Sequence, residues 1–268
     1  VIDISSLLTI HFLNIEDKLT EHYEFVTSYS TLFLLREIYQ KTKTQFSNEG
    51  ELVYKHEGNY YRSENNFENK LELVEKLINW VEKNCEYLPI YGLLELNSDL
   101  KNSINIIDEQ FITDNILIAS NENFLYLCDD VYVKRIAKEF NVNSTGVLNL
   151  LKDSYSKGVI SENEYLSLTN TLYMNNFKKF YLKSSNIVYE IKNYNFLFLS
   201  KILLNINDFD VNIINVLVET ILKISNEGIE ENLLGFVINL ILNSLKNNQE
   251  MYFLFLKKLF YSVNKIVY

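Results

Sequence analysis

A single proline and seven glycines among 268 residues give the chain few backbone breaks, so long periodic elements joined by short polar turns are expected. Only two cysteines occur, Cys85 and Cys128, in apolar contexts and at no metal-ligand spacing. That excludes a disulfide framework, and the pair is expected to remain reduced in a cytoplasmic protein. His11, His22 and His56 have no Cys or His partner at metal spacing, so a structural role is assigned to them. A Gly-rich phosphate loop and a nucleophile elbow are both missing. The longest apolar stretches, near 236–242 and 251–256, are interrupted by Asn or Lys, well short of the roughly 18 residues that a membrane span needs. No transmembrane segment is expected.

Basic residues are also scarce. Lys and Arg number 25 against 35 Asp and Glu, a formal charge of -10, so the chain does not grip nucleic acid by its overall field. Any such contact must be local. An acidic excess suits a site that gathers carboxylates around a divalent cation, because the ion offsets part of their mutual repulsion. What the chain does have is apolar material: 47% hydrophobic residues, 19 Tyr and 17 Phe, enough to bury a full core. The aromatics fall at core spacings and do not read as a base-stacking stripe.

The N-terminal run Val1–Ile4 reads as a strand, followed by helical spacing to about Leu19. Because Val1 already lies inside that strand, the chain is read as part of a longer protein with upstream modules. Tyr23–Ser28 is strand-like, and Ser30-Thr31 caps a second helix. Two short runs around Glu57-Gly58-Asn59 read as a β-hairpin insertion over 51–62. Leu71, Val74, Leu77, Ile78 and Val81 mark an amphipathic helix over 69–86. A helix over 114–120, a strand over 124–128 and a helix over 131–140 follow. Ser144-Thr145 is expected to cap a helix to about 156, and Ser161 and Glu164 stand at capping-box spacing. Beyond 195 only helical periodicity is present, near 195–205, 211–225, 229–246 and 249–266. The early alternation of strand and helix favours a parallel sheet with helices on its faces.

In such a sheet ligands bind beyond the carboxyl ends of the strands. Asp3 ends the first strand, Asp129 and Asp130 follow the strand at 124–128, and Asp114 opens the helix before it. Acids converging from separate segments can hold Mg²⁺ or Mn²⁺ through oxygen while leaving water positions open.

The segments Val-Ile-Asp-Ile-Ser-Ser-Leu-Leu from residue 1, Thr-Asp-Asn-Ile-Leu-Ile-Ala-Ser from 113 and Leu-Cys-Asp-Asp-Val-Tyr-Val-Lys-Arg-Ile-Ala from 127 resemble PIN domains. Asn-Ser-Thr-Gly-Val-Leu-Asn-Leu-Leu and Lys-Gly-Val-Ile-Ser-Glu-Asn-Glu-Tyr further resemble the variety at the C-terminal end of large bacterial proteins with tetratricopeptide-like repeats. The resemblance covers about 1–190, leaving 191–268 as a helical C-terminal extension. It implies an α/β fold with three layers, α/β/α, around a central parallel sheet. It also implies hydrolysis of RNA by a Mg²⁺ or Mn²⁺ ion held among acids. Asp3, Asp114 and the Asp129-Asp130 pair match the family's first, third and fourth acidic positions; Asp3, Asp114 and Asp130 are the expected metal ligands. The family's second acid falls where this chain has Leu34 and Leu35, and Glu37, one turn beyond Leu34, is the candidate substitute. Its bland alternative is an ion pair with Lys41, four residues on. Ser5 is a candidate for binding phosphate or a metal-bound water, with helix capping as its rival. Arg135 is a candidate phosphate contact, with plain solvation as its rival. The functional alternative is a non-catalytic PIN-like scaffold whose helical extension binds a protein partner.

Overall fold

The computed structural model describes residues 1–48, 53–56, 59–62, 67–88, 90, 110–177, 182–204, 211–246 and 248–267. Its first elements are α1 (Ile4–Leu13), α2 (Glu16–Thr20), β1 (Phe25–Thr27) and α3 (Tyr29–Asn48), followed by β2 (Val53–His56), β3 (Asn59–Arg62), α4 (Phe67–Asn84) and β4 (Cys85–Tyr87). After residue 109 come α5 (Gln110–Asn121), β5 (Tyr126–Leu127), α6 (Val131–Glu139), β6 (Ser144–Thr145) and α7 (Val147–Ser156). The remaining elements are α8 (Glu162–Met174), α9 (Ser184–Lys192), α10 (Phe196–Leu204), α11 (Val211–Asn226), α12 (Glu231–Leu245) and α13 (Gln249–Val267).

The protein is mostly helical, with small sheets. β1 pairs with β4 and β5 with β6, both parallel, while β2 and β3 pair antiparallel with Val53 opposite Arg62. The N-terminal residues join the two parallel pairs. Ile2 N–H donates to Val26 O at 2.8 Å, Leu127 N–H to Val1 O at 2.7 Å and Asp3 N–H to Leu127 O at 2.9 Å. The hydrogen-bonded order is therefore β4, β1, residues 1–3, β5, β6.

The segment read as a strand over Val1–Ile4 makes only one bridge, Ile2 to Leu127. Asp3 is itself an N-cap: its carboxylate accepts from Ser5 N–H, so the helix starts at Ile4. A second departure is at Ser144-Thr145, read as a helix cap. These residues form β6 against Tyr126-Leu127, and Gly146 caps α7 instead. The Ser161–Glu164 capping box is formed as its spacing suggests.

The chain divides into two compact units, Val1–Val159 and Ile160–Tyr268. Within the second unit α9 packs against α8 and α11. In the first unit Ile2, Leu7, Ile10, Leu35, Leu77, Ile116 and Tyr126 are fully buried. Each such aliphatic side chain contributes about 1.5–3 kcal/mol of burial. Phe25 and Trp80 meet edge to face at 5.4 Å, fastening β1 to α4. The second unit has only helices among its described residues. Its core holds Ile187, Ile191, Phe198, Ile202, Leu217, Val237 and Phe255. No helix among the described residues is long and apolar enough to cross a membrane.

Candidate functional site

Three strand ends in the first unit deliver carboxylates or their supports to one edge of the parallel array. Residues 1–3 lie between β1 and β5, so what leaves those two strands flanks Asp3 on either side. Asp3 is buried, at 2% exposure. Its Oδ2 accepts from Ser5 N–H at 3.0 Å and from the Ser5 hydroxyl at 2.7 Å, and its Oδ1 accepts from the Tyr126 hydroxyl at 3.0 Å. Burial and the Asp3 charge both push the Tyr126 phenol up. The Cys128 thiol, 3.6 Å from Asp3 Oδ2, is pushed up to about 12, mostly by burial. Neither is a ready acid at neutral pH; both serve as fixed donors.

Ser5 does two jobs with one oxygen. It donates to Asp3 and accepts from Asp129 N–H at 3.0 Å, tying the first acid to the segment after β5. This places Ser5 as the support of two backbone-and-acid positions, deeper than a helix cap alone.

The Asp129-Asp130 pair, which sequence leaves unresolved, splits clearly. Asp129 turns inward: its Oδ1 accepts from Val147 N–H at 3.0 Å, and its Oδ2 is buried with no hydrogen-bond partner. Burial pushes its carboxyl above the usual range, against the pull of Val147 N–H, the Thr9 hydroxyl and the Lys134 ammonium. Asp130 turns outward. It is exposed and caps α6, its Oδ1 accepting from Tyr132 N–H at 2.7 Å and Val133 N–H at 3.2 Å.

Asp114, on α5, is also 2% exposed. The Ser30 hydroxyl donates to its Oδ2 at 2.5 Å, while its Oδ1 is buried and unpartnered. Burial raises this carboxyl as well, opposed by the hydrogen bond from Ser30 and the nearby Gln110 side chain. The next residue, Asn115, secures the helix: its Oδ1 accepts from Ser28 N–H and its Nδ2 donates to the Thr31 hydroxyl, each at 2.9 Å. The turn from β1 into α3 thus holds α5 at both Asp114 and Asn115.

Glu37 lies elsewhere in character. It is exposed and forms an i,i+4 ion pair with Lys41 at 2.6 Å. Arg135 is exposed on α6. Spacing along the chain gives no sign of the roles of Ser30, Tyr126 and Asn115, whose partners here lie 84 to 123 positions away.

Among the described residues no group of three or more His, Cys, Asp and Glu side chains is arranged to hold a metal ion. The donor chemistry nevertheless suits a hard cation. Two buried carboxylate oxygens, Asp114 Oδ1 and Asp129 Oδ2, have no partner at hydrogen-bonding distance among the described residues, although the Gln110 and Thr9 side chains lie near the two carboxyls, and a buried carboxylate oxygen left so is costly unless a cation or proton satisfies it. Oxygen donors of this kind match Mg²⁺ or Mn²⁺ rather than a softer metal.

The floor beneath Asp129 admits no side chain. A Cβ on Gly146 would lie 2.7 Å from Asp129 Oδ1 and 2.8 Å from Lys134 Nζ. Asp129 Oδ1 is held in place by Val147 N–H. Gly146→Ala is expected to destabilise the protein by about 1–3 kcal/mol through overpacking, read from urea unfolding; an unchanged midpoint would mean that Asp129 moves freely.

No characterised protein and no solved structure matches the chain. A family model does. The model of the PIN domain associated with the TPR-GreAB-C-PIN system matches residues 1–139, just over half of the 268. That match spans Asp3 and Asp129, which meet at the Ser5 hydroxyl, and Asp114, held by Ser30, and the chain belongs to this PIN-domain family.

Proposed function

We propose that the first unit is a metal-dependent endoribonuclease whose working acids are Asp3, Asp114 and Asp129, within a three-layer α/β/α domain. The observation that carries this reading is the pair of buried carboxylate oxygens, Asp114 Oδ1 and Asp129 Oδ2, that have no partner at hydrogen-bonding distance among the described residues. Structural carboxylates are normally satisfied. Two left open, one of them tied through Ser5 to Asp3, in a family of nuclease type, support a site built for a cation.

Within that reading the chain's own residues have distinct tasks. Asp114, Asp129 and Asp3 are the residues that would hold Mg²⁺ or Mn²⁺ through carboxylate oxygens. A divalent ion bound there supplies an activated water and charge stabilisation at a phosphodiester. Ser5 and Tyr126 orient Asp3, Ser30 orients Asp114, and Val147 N–H orients Asp129. Lys134, close to Asp129, places a positive charge where a phosphate would approach. Asp130 and Glu37 are assigned no catalytic work, since one caps a helix and the other pairs with Lys41. RNA is the substrate proposed, and the family description supports association with tetratricopeptide-repeat and Gre-type modules.

The rival reading, a PIN-like scaffold that binds a protein partner through its helices, draws on Leu34 and Leu35 at the family's second acidic position and on the engagement of Glu37 with Lys41. Thermal unfolding with and without Mn²⁺ separates the two. Mn²⁺ is expected to raise the wild-type midpoint, by about 2.7 kcal/mol of stabilisation at a hundred times its Kd, and RNA is cleaved. Asp114→Asn without metal is expected to melt about 2–4 °C higher, since it removes a desolvated charge worth about 1 kcal/mol, and to lose both the Mn²⁺ response and cleavage. A wild type that neither responds to Mn²⁺ nor cuts RNA above the variant sinks the nuclease reading and leaves the scaffold.

A further inference from the structure

Two exposed aromatic side chains stand where α3 begins. Tyr29 is 63% exposed and Phe33, one turn along the same face, is 69% exposed. Isolated surface aromatics need no explanation, but these two belong to the turn that builds the candidate site. Tyr29 stands between Ser28, whose N–H is held by Asn115, and Ser30, whose hydroxyl holds Asp114. Its backbone is therefore one residue from the anchor of an acid with an open oxygen. The Tyr29 ring is already held: it stacks on Tyr87, at the end of β4, with centroids 5.0 Å apart and planes 20° from parallel. A ring braced on one face and more than half exposed is preorganised for a second stacking partner on the other, so little ordering is needed on binding.

We propose that Tyr29, extended by Phe33, is a base-stacking platform that seats an unpaired nucleotide of RNA beside the Asp114 side of the site. The proposal rests on the nuclease reading for its substrate and adds the residues that hold it. Charge argues for the same mode of recognition. With a net charge of -10, the chain has little long-range pull on a phosphate backbone, so its hold on RNA must come from local contacts, and stacking on a ring works for any base. Apart from the Tyr29–Tyr87 stack, these rings stay outside the core. On α3 the inward positions are Thr31, Leu32 and Leu35, which are buried, while Tyr29 and Phe33 project from the other face.

The test uses the full chain in Ca²⁺ with a fluorescein-labelled eight-nucleotide single-stranded RNA, and the same oligomer with abasic linkers in place of its bases. Fluorescence anisotropy is expected to show affinity falling about tenfold for Tyr29→Ala and for Phe33→Ala, with Tyr29→Trp close to wild type. Abasic RNA should bind wild type about as weakly as it binds Tyr29→Ala. In cleavage assays with Mn²⁺, Tyr29→Ala should raise KM with kcat nearly unchanged. Equal binding of the normal and abasic RNAs by wild type, or a Tyr29→Ala protein with wild-type affinity, overturns the platform even if cleavage is robust. Base-dependent binding that Tyr29→Ala weakens, without any cleavage, supports the platform and overturns only the catalytic reading. A wild-type dimer that Tyr29→Ala converts to monomer in sedimentation would assign the patch to protein contact and overturn the proposal.

Discussion

Asp129→Asn is expected to lower RNA cleavage by at least about a hundredfold, while Asp130→Asn leaves it within about twofold. The two residues are neighbours of identical chemistry, so the contrast isolates direction. Asp129 presents a buried, unpartnered Oδ2 and holds Val147 N–H with the other oxygen. An Asn there keeps an acceptor for Val147 but removes the charge that a cation needs. Asp130 caps α6 from the surface, and Asn caps a helix about as well as Asp. Single-turnover cleavage of a labelled RNA at saturating Mn²⁺ measures both, and equal losses would remove Asp129 from the site.

The pH dependence of the same acids has a definite sign. Burial raises the carboxyls of Asp114 and Asp129 above their ordinary value of 3.8. Folded protein therefore binds more protons than unfolded protein at pH values between 3.8 and those raised values. Without metal, these two groups add stability as pH falls through that window and withdraw it as pH rises. Metal binding runs the opposite way, because the ion competes with the protons and loses affinity in the same window. Urea unfolding of Asp114→Asn across that range should show a flatter profile than wild type.

Phe198→Ala is expected to cost the second unit about 3–5 kcal/mol. Phe198 is fully buried, packs with its centroid 5.2 Å from that of Tyr173, and lies in the core shared by α9, α10 and α11. Truncation leaves a ring-sized void among residues that have little room to collapse. Urea denaturation followed by circular dichroism measures the loss, and Phe198→Leu should recover most of it. A change below about 1 kcal/mol would show that the helices repack around the gap.

Much of the helical framework was legible from periodicity and caps. The Ser161–Glu164 box and the four helices beyond residue 195 follow from signals contained within a few turns. The short strands were harder, since Ser144-Thr145 is a strand only because Tyr126-Leu127 lies beside it, and the same two residues alone make an equally good cap. The three inward acids were visible as residue types in family order. Which of Asp129 and Asp130 faces inward was not, because two adjacent Asp residues differ only in the tertiary contacts that each meets. Glu37 illustrates the converse: its partner Lys41 was in plain view four residues away, and the local pairing holds. The exposure of Tyr29 and Phe33 could not be read at all, since aromatic residues at helical spacing look the same whether they face a core or open water.

The double grip of Asn115 on Ser28 and Thr31 has a consequence for how this domain tolerates change. It indexes α5 to the β1–α3 turn by two side-chain bonds, so sliding the helix by even one residue would break both and carry Asp114 away from Ser30. Insertions or deletions in the chain ahead of Gln110 therefore need not displace the acid, because its position is set by the turn that receives it and not by the length of the connection that leads to it.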